Sequence, residues 1–127
     1  MENSKAGISK TYDLEDRTFE FAKNVRSFLR TLPRTMANIE DGKQLLRSSG
    51  SVGANYIEAN ESLGRKDFLM RVKICRKEAK ESRFFLRLLH VGDDQRCKAR
   101  CDALVQEATE LTSIFGSIVR KTDSRSS

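Results

Sequence analysis

The stretch that decides the fold runs from Phe68 to Leu89 and reads FLMRVKICRKEAKESRFFLRLL. Its apolar or small residues recur at a spacing of four and then three. They are Phe68, Val72, Cys75, Ala79, Ser82, Leu86 and Leu89. This spacing places all of them on one side of an α-helix, and such a stripe must be buried against other helices. The stretch therefore predicts a helix over about residues 66–89 in an all-α protein.

Two further segments carry the same spacing. The first predicts a helix over about residues 13–31, followed by Pro33, with Leu14, Thr18, Phe21, Val25, Phe28 and Leu32 on its buried side. The second predicts a helix over about residues 95–120, with Cys97, Cys101, Leu104, Ala108, Leu111, Phe115 and Ile118 on its buried side. Gly92-Asp93-Asp94 forms a short turn before this last helix, and a short turn is typical of antiparallel neighbours.

The segment between Pro33 and Gly64 contains conflicting signals. Residues 48–55, SSGSVGAN, have the composition of a loop. The four-three spacing nevertheless continues through them at Leu45, Ser49, Val52, Tyr56, Ala59 and Leu63. We predict a second helix here, with Asn38 as its N-cap and Gly64 as its stop, and with Ser62 or Asp67 opening the next helix. Each glycine destabilises this helix by about 1 kcal/mol relative to alanine, and we expect close approach of a neighbouring helix to compensate.

Together these segments predict an antiparallel, up-down-up-down four-helix bundle over residues 13–121. Flexible segments are expected at residues 1–12 and 122–127, which are polar and lack periodicity. A chain of 127 residues has the length of one domain. It has no apolar run near the ~20 residues that a membrane span needs, and its start, Met1 to Lys5, lacks the apolar core of a signal peptide. We therefore expect a cytoplasmic protein that does not associate with membranes.

Few residues favour catalysis or metal binding. Cys75, Cys97 and Cys101 all fall on predicted buried stripes, which favours reduced packing thiols over a metal site. Glu78 and Glu81 are surrounded in sequence by cations, so we expect lowered pKa values that make them poor proton shuttles. No glycine-rich phosphate loop or nucleophile elbow occurs. The sequence therefore predicts a protein that is not an enzyme and has no metal or other cofactor.

The positive charge of the chain is concentrated in one helix. Residues 64–90 contain nine Lys or Arg residues and three Asp or Glu residues, whereas the rest of the chain has 15 of each sign. Heptad positions outside the core seam hold Lys66, Lys73, Lys80 and Arg87 in one row, and Arg76, Arg83 and Lys77 beside it. Cations in such rows can each meet a phosphate of RNA or DNA. A solvated surface and a docking face for an acidic protein partner are the alternatives.

Three large apolar residues fall outside the predicted core. Phe84 and Met70 are two heptads apart on the side of the third helix opposite its buried stripe, and Phe19 is displaced from the stripe of the first helix. A single exposed aromatic residue needs no explanation, whereas a row of them on a small bundle favours a contact between subunits. We therefore expect a homo-oligomer.

Several motifs resemble those of a known family. Residues 47–59, RSSGSVGANYIEA, are similar to the signature R-x-x-x-S-I-P-A-N-I-A-E-G of the bacterial 23S rRNA-intervening-sequence proteins, also called four helix bundle proteins. Residues 66–68 (KDF), 73–82 (KICRKEAKES) and 85–89 (FLRLL) resemble its K-D-F, K-I-A-R-K-E-A-x-E-[ST] and [YW]-L-R-L-L segments. The resemblance spans about residues 12–121. Gly53 stands where many members have proline, and Asn60 where many have glycine.

This resemblance implies an up-down-up-down bundle that assembles into a homopentameric ring. Some members are encoded inside insertions of large-subunit ribosomal RNA genes. A related branch, the accessory protein of diversity-generating retroelements, binds a reverse transcriptase and nucleic acid. Arg47, Asn55 and Glu58 match the signature positions, and we expect them to hydrogen-bond across helices and fix the register.

From these observations we predict that the protein is a non-enzymatic, self-associating bundle that offers a basic helix face to RNA or another nucleic acid. The alternative is an interaction scaffold that docks an acidic protein partner such as a reverse transcriptase.

Overall fold

Four helices pack side by side in the computed structural model, which describes residues 13–126 and the side chains of residues 13–124. They are α1 (Leu14–Leu29), α2 (Met36–Asn60), α3 (Arg65–Leu88) and α4 (Gln95–Ser126). Each helix packs against the next, and α1 packs against α4. Because the connections at 30–35, 61–64 and 89–94 are short, consecutive helices run antiparallel. The predicted up-down-up-down bundle is confirmed.

Residues 13–126 contain no β-strand. None of the four helices is long and apolar enough to cross a membrane. The predicted flexible segment 1–12 lies outside the described residues.

The helix ends differ in detail from the prediction. Thr35, not Asn38, caps α2, because its hydroxyl accepts the backbone N–H of Asn38 at 3.1 Å. Gly64 is the N-cap of α3 rather than only the stop of α2. Helix α4 continues to Ser126, past the predicted end at about Arg120 and into the segment expected to be a flexible tail.

Asn38 instead joins two loops at one end of the bundle. Its side-chain Nδ2 donates to the carbonyl oxygens of Pro33 and His90, each at 2.9 Å. Its Oδ1 accepts the backbone N–H of His90 at 2.9 Å. The side chain is 5% exposed, so its polar atoms are satisfied by protein groups. Asn38 therefore fastens the α1–α2 connection to the α3–α4 connection.

The predicted stripes form the core, with exceptions at their ends. Fully buried members include Phe21, Phe28, Leu45, Leu86 and Phe115. Leu63 belongs to a predicted buried stripe but is fully exposed, because α2 ends at Asn60 and the chain then turns. Ile118 is half-buried, and the neighbouring Val119 takes the core position.

Small residues let α2 approach its neighbours closely. A Cβ atom at Gly53 would lie 3.0 Å from Thr18 Oγ1 on α1. On the side facing α3, the buried hydroxyl of Ser82 donates to Ser48 Oγ at 3.0 Å. The prediction that residues 48–55 are helical is confirmed, and so is the expected close approach at Gly53.

Candidate nucleic-acid interface on α3

The seven cations predicted to bind nucleic acid occupy the outer side of α3. Five are exposed and two are half-buried. The exposed residues are Lys66, Lys73, Lys77, Lys80 and Arg87, and the half-buried residues are Arg76 and Arg83. None of the seven lies in the core, so all are placed where the heptad pattern predicted.

These cations form no ion pair with a carboxylate among the described side chains. Among residues 13–124, the ion pairs with described geometry join Arg17, Lys43, Arg47 and Lys98 to acidic groups, and none includes the seven α3 cations. Two of the three acidic residues of α3, Glu78 and Glu81, pair with Arg47 of α2 instead. The acidic groups of α3 thus serve the contact with α2, and the positive charge remains on its outer side.

The Arg47–Glu78–Glu81 cluster corrects the predicted pKa shift for Glu78 and agrees with it for Glu81. Arg47 Nη1 donates to Glu78 Oε1 at 3.3 Å, and Nη2 donates to Glu81 Oε1. Burial raises the pKa of Glu78, helped by its hydrogen bond with Glu81, where we expected a lowered pKa. Burial also acts to raise the pKa of Glu81, but the hydrogen bonds from Arg47 and Glu78 outweigh it and lower that pKa. The hydrogen-bonded partner of both groups is Arg47, and of the flanking α3 cations Lys77 acts on them only through its charge.

The three signature residues of α2 do not share one role. Asn55 Oδ1 accepts a hydrogen bond from Arg71 Nη1 of α3 at 3.1 Å, and its Nδ2 donates to Ser51. Arg47 and Asn55 therefore both join α2 to α3, as predicted. Glu58 is exposed, and among the described side chains its carboxylate makes no hydrogen bond to a neighbouring helix. For Glu58 the predicted register contact is wrong.

The second half of α3 borders a groove of about 350 Å³ against α4. The α3 side provides Lys80, Arg83, Phe84 and Arg87, and the α4 side provides Thr109, Thr112 and Ser113. The sequence does not identify these hydroxyl residues as part of a site, because they fall beside the apolar stripe of α4 and resemble ordinary polar surface residues. Their 3-residue and 4-residue spacing from Thr109 was the only available signal.

Arg83 is held in place at the edge of this groove. Its Nε donates to Thr109 Oγ1 at 2.9 Å. The Thr109 hydroxyl donates its own hydrogen to the Val105 carbonyl at 2.8 Å, which leaves a lone pair for Arg83. Arg83 makes no other hydrogen bond among the described residues, so its terminal Nη groups keep their donors available.

The three apolar residues predicted to form a subunit contact are all exposed. The exposed fractions are 60% for Phe19, 49% for Met70 and 56% for Phe84. Met70 lies in a second groove with Leu69, Lys66 and Lys73, beside the exposed Leu63. These residues are available at the surface of the single chain.

The cysteines are placed as the sequence predicted. Cys75, Cys97 and Cys101 are buried and form no disulfide. Burial raises the pKa of Cys75 to about 12 and also raises that of Cys101, whose Sγ donates to the Leu86 carbonyl. Such thiols are packing groups rather than nucleophiles.

Comparison with known proteins agrees with this architecture. Residues 10–116 match the family model described as 23S rRNA-intervening sequence protein. A crystal structure from Bacteroides thetaiotaomicron, described as a protein with unknown function from the S23 ribosomal protein family, is similar with a TM-score of 0.72 and 28% identity. The similarity covers 84% of this chain and 98% of that one. None of the curated proteins matches the chain.

Proposed function

The chain belongs to the 23S rRNA-intervening sequence protein family, and from that premise we propose that it is a non-enzymatic, self-associating bundle that binds RNA through α3. The observation that carries the proposal is the set of seven α3 cations without carboxylate partners among the described side chains. If the α3 surface served only solubility, Glu78 and Glu81 would not need to pair with Arg47 of α2.

Such a surface would bind phosphates with little preference for sequence. Each lysine or arginine that neutralises a phosphate releases condensed counterions, so the affinity falls as the salt concentration rises. The exposed cations of one row, Lys66, Lys73, Lys80 and Arg87, recur every seven residues, or about 10 Å along the helix. A strand that follows α3 can therefore meet several cations of one subunit.

The test compares two variants with equal reduction of charge. The first replaces Lys73, Lys77, Lys80 and Arg87 with glutamine. The control replaces Lys23, Arg30, Arg34 and Lys43, which are exposed on or beside α1 and α2, also with glutamine. Labelled single-stranded and duplex RNA are titrated at three salt concentrations. We expect the α3 variant to flatten the slope of log affinity against log salt by about 0.7 to 0.9 for each phosphate that is no longer neutralised. The control should keep most of the slope.

Two results would contradict RNA binding through α3. Equal slopes for the two variants would mean that net charge, not the α3 face, drives the association. Weak binding that does not saturate for the wild type would favour the alternative, an α3 face that docks an acidic protein partner such as a reverse transcriptase.

Self-association is supported by where the exposed apolar residues lie. Helices α1 and α3 are diagonal in the bundle, so their outer faces point away from each other. They run in the same direction, and Phe19 and Met70 each lie five residues after the first residue of their helix. The two residues are thus at the same level on opposite sides. A contact between the α1 face of one copy and the α3 face of the next would join unlike surfaces, and repeated contacts of this kind give a ring when the rotation from copy to copy closes. A pentamer is the ring that the family resemblance implies.

A further inference from the structure

Phe84 differs from the other exposed apolar residues in its surroundings. It lies 14 residues after Met70, or about 21 Å further along α3. The diagonal contact proposed above joins Phe19 and Met70 at one level, and Phe84 lies far from it. Around Phe84 the groove is lined by Lys80, Arg83 and Arg87. A second copy placed on this ring would have to bury three cations.

The ring of Phe84 packs against a second aromatic ring and is otherwise largely exposed to solvent. It packs edge-to-face on Phe85, with ring centroids 5.2 Å apart and an interplanar angle of 83°. Phe85 is half-buried and packs against the core, so it gives the outer ring a fixed base. More than half of the Phe84 side chain remains exposed. Much of this ring is therefore open to solvent at the edge of a polar groove.

The chemistry of this groove fits one ligand class. An aromatic ring offers a stacking surface to a base, and adjacent cations offer charge to the phosphates on either side of it. Lys80, Arg83 and Arg87 follow a spacing of three and four, so they line one side of α3 next to the ring. The hydroxyl groups of Thr109, Thr112 and Ser113 form the opposite wall. Thr109 and Thr112 donate their hydroxyl hydrogens to carbonyl groups of α4, so this wall offers a sugar or base edge mainly hydroxyl oxygens that accept.

We propose that this groove binds single-stranded RNA by stacking an unpaired base on Phe84, with Arg83 and its neighbours contacting the flanking phosphates. The inference rests on the proposed function and adds a preference for unpaired strands. Duplex RNA keeps its bases stacked within the helix and cannot offer one to Phe84. Arg83, fixed by Thr109, is the cation whose position is set before the strand arrives.

The experiment uses the full chain and two labelled probes of equal length. One is a twelve-nucleotide oligoadenylate, and the other is an abasic strand that keeps the phosphates and lacks the bases. Wild type, Phe84→Ala, Phe84→Trp and Ile57→Ala are titrated at one salt concentration. Ile57→Ala is the matched control, because it also removes a half-exposed large apolar side chain, one that lies outside both the Phe84 groove and the proposed subunit contact. Circular dichroism and light scattering verify that each variant is folded and keeps the wild-type molar mass.

We expect wild type to bind the oligoadenylate at least about 5-fold more tightly than the abasic strand, as one stacked base predicts. Phe84→Ala should bind both strands equally, whereas Phe84→Trp and Ile57→Ala should keep the preference. Three results would overturn the inference. If wild type binds both strands equally, RNA binding stands without base stacking. If neither strand binds, the proposed function fails as well. If Phe84→Ala lowers the molar mass, Phe84 belongs to a subunit contact.

Discussion

Asn38 shows how a residue can be recognised as important and given the wrong role. Asparagine before an apolar-periodic segment is a common N-cap, but Thr35 lies three residues earlier and forms the cap. The side-chain amide of Asn38 is therefore available for hydrogen bonds with the backbone of His90, in the connection between α3 and α4. Local propensity could not reveal this, because the partner lies 52 residues away.

The two residues should therefore differ in their contribution to stability. Asn38→Ala removes three hydrogen bonds of a buried side chain and leaves the carbonyl of Pro33 and the backbone groups of His90 without their partner. We expect it to lower the free energy of unfolding by about 2–3 kcal/mol. Thr35→Ala removes only a helix cap, which is worth about 1 kcal/mol. Urea denaturation of both variants checks this order. A larger effect for Thr35→Ala would restore the interpretation drawn from the sequence.

Cys75 makes a second prediction at this scale. Its pKa is about 12 in the folded protein and near 9 for an ordinary thiol. A raised pKa means that the neutral thiol stabilises the fold fully below pH 9, and that this contribution is lost as the pH rises above 9. We expect the stability difference between wild type and Cys75→Ala to shrink above pH 9, approaching about 1.4 kcal/mol for each pH unit. Urea unfolding at pH 7.5, 9 and 10 measures it. A constant difference would show that the thiol ionises equally in both states.

Helix α2 is the element in which composition and periodicity disagreed. Its glycines and serines lower helix propensity, yet they allow contacts that larger side chains would prevent. Gly53 faces Thr18, a buried residue whose hydroxyl donates a hydrogen bond to the Leu14 carbonyl. A Cβ atom at Gly50 would lie 3.2 Å from Nη2 of Arg26, an exposed side chain whose guanidinium donates to the Ala22 and Leu46 carbonyls. The two glycines therefore have different constraints within one helix.

Substitutions at these glycines should have opposite effects. Gly53→Leu forces a large side chain into the contact between α1 and α2, and we expect it to destabilise the protein by about 1–3 kcal/mol. Gly50→Ala gains helix propensity and needs only a shift of the Arg26 terminus, so it should stabilise by up to about 1 kcal/mol. Thermal melts of the two variants and wild type decide the point. A silent Gly53→Leu would show that the helices are not in close contact there.

The whole molecule has outer faces of different character. The α1 face carries Phe19, with Lys23 over its ring, whereas the α3 face carries Met70 between Lys66 and Lys73. Copies joined through these two faces would pair apolar surface with apolar surface. The second half of α3, with Phe84, would remain open to a ligand.

This arrangement predicts how assembly responds to mutation. Light scattering should give an oligomer, with a mass five times 14.5 kDa for the pentamer. Met70→Asp places a charge in the apolar contact and should reduce the mass toward that of one chain without unfolding the bundle. Phe84→Asp should leave the mass unchanged. A wild type of 14.5 kDa at micromolar concentration would refute the assembly.

The sequence by itself determined the helices, their buried stripes and the charge of α3, because each follows from periodicity within one segment. It also placed Phe19, Met70 and Phe84 outside the core. It could not determine partners that lie on different helices. The tertiary structure alone paired Arg47 with Glu78 and Glu81, and set Thr109 against Arg83. Those contacts depend on the angle and register at which helices pack, and many side chains share in fixing both. The groove at Phe84 lies between α3 and α4, so the sequence of either helix alone could not predict it.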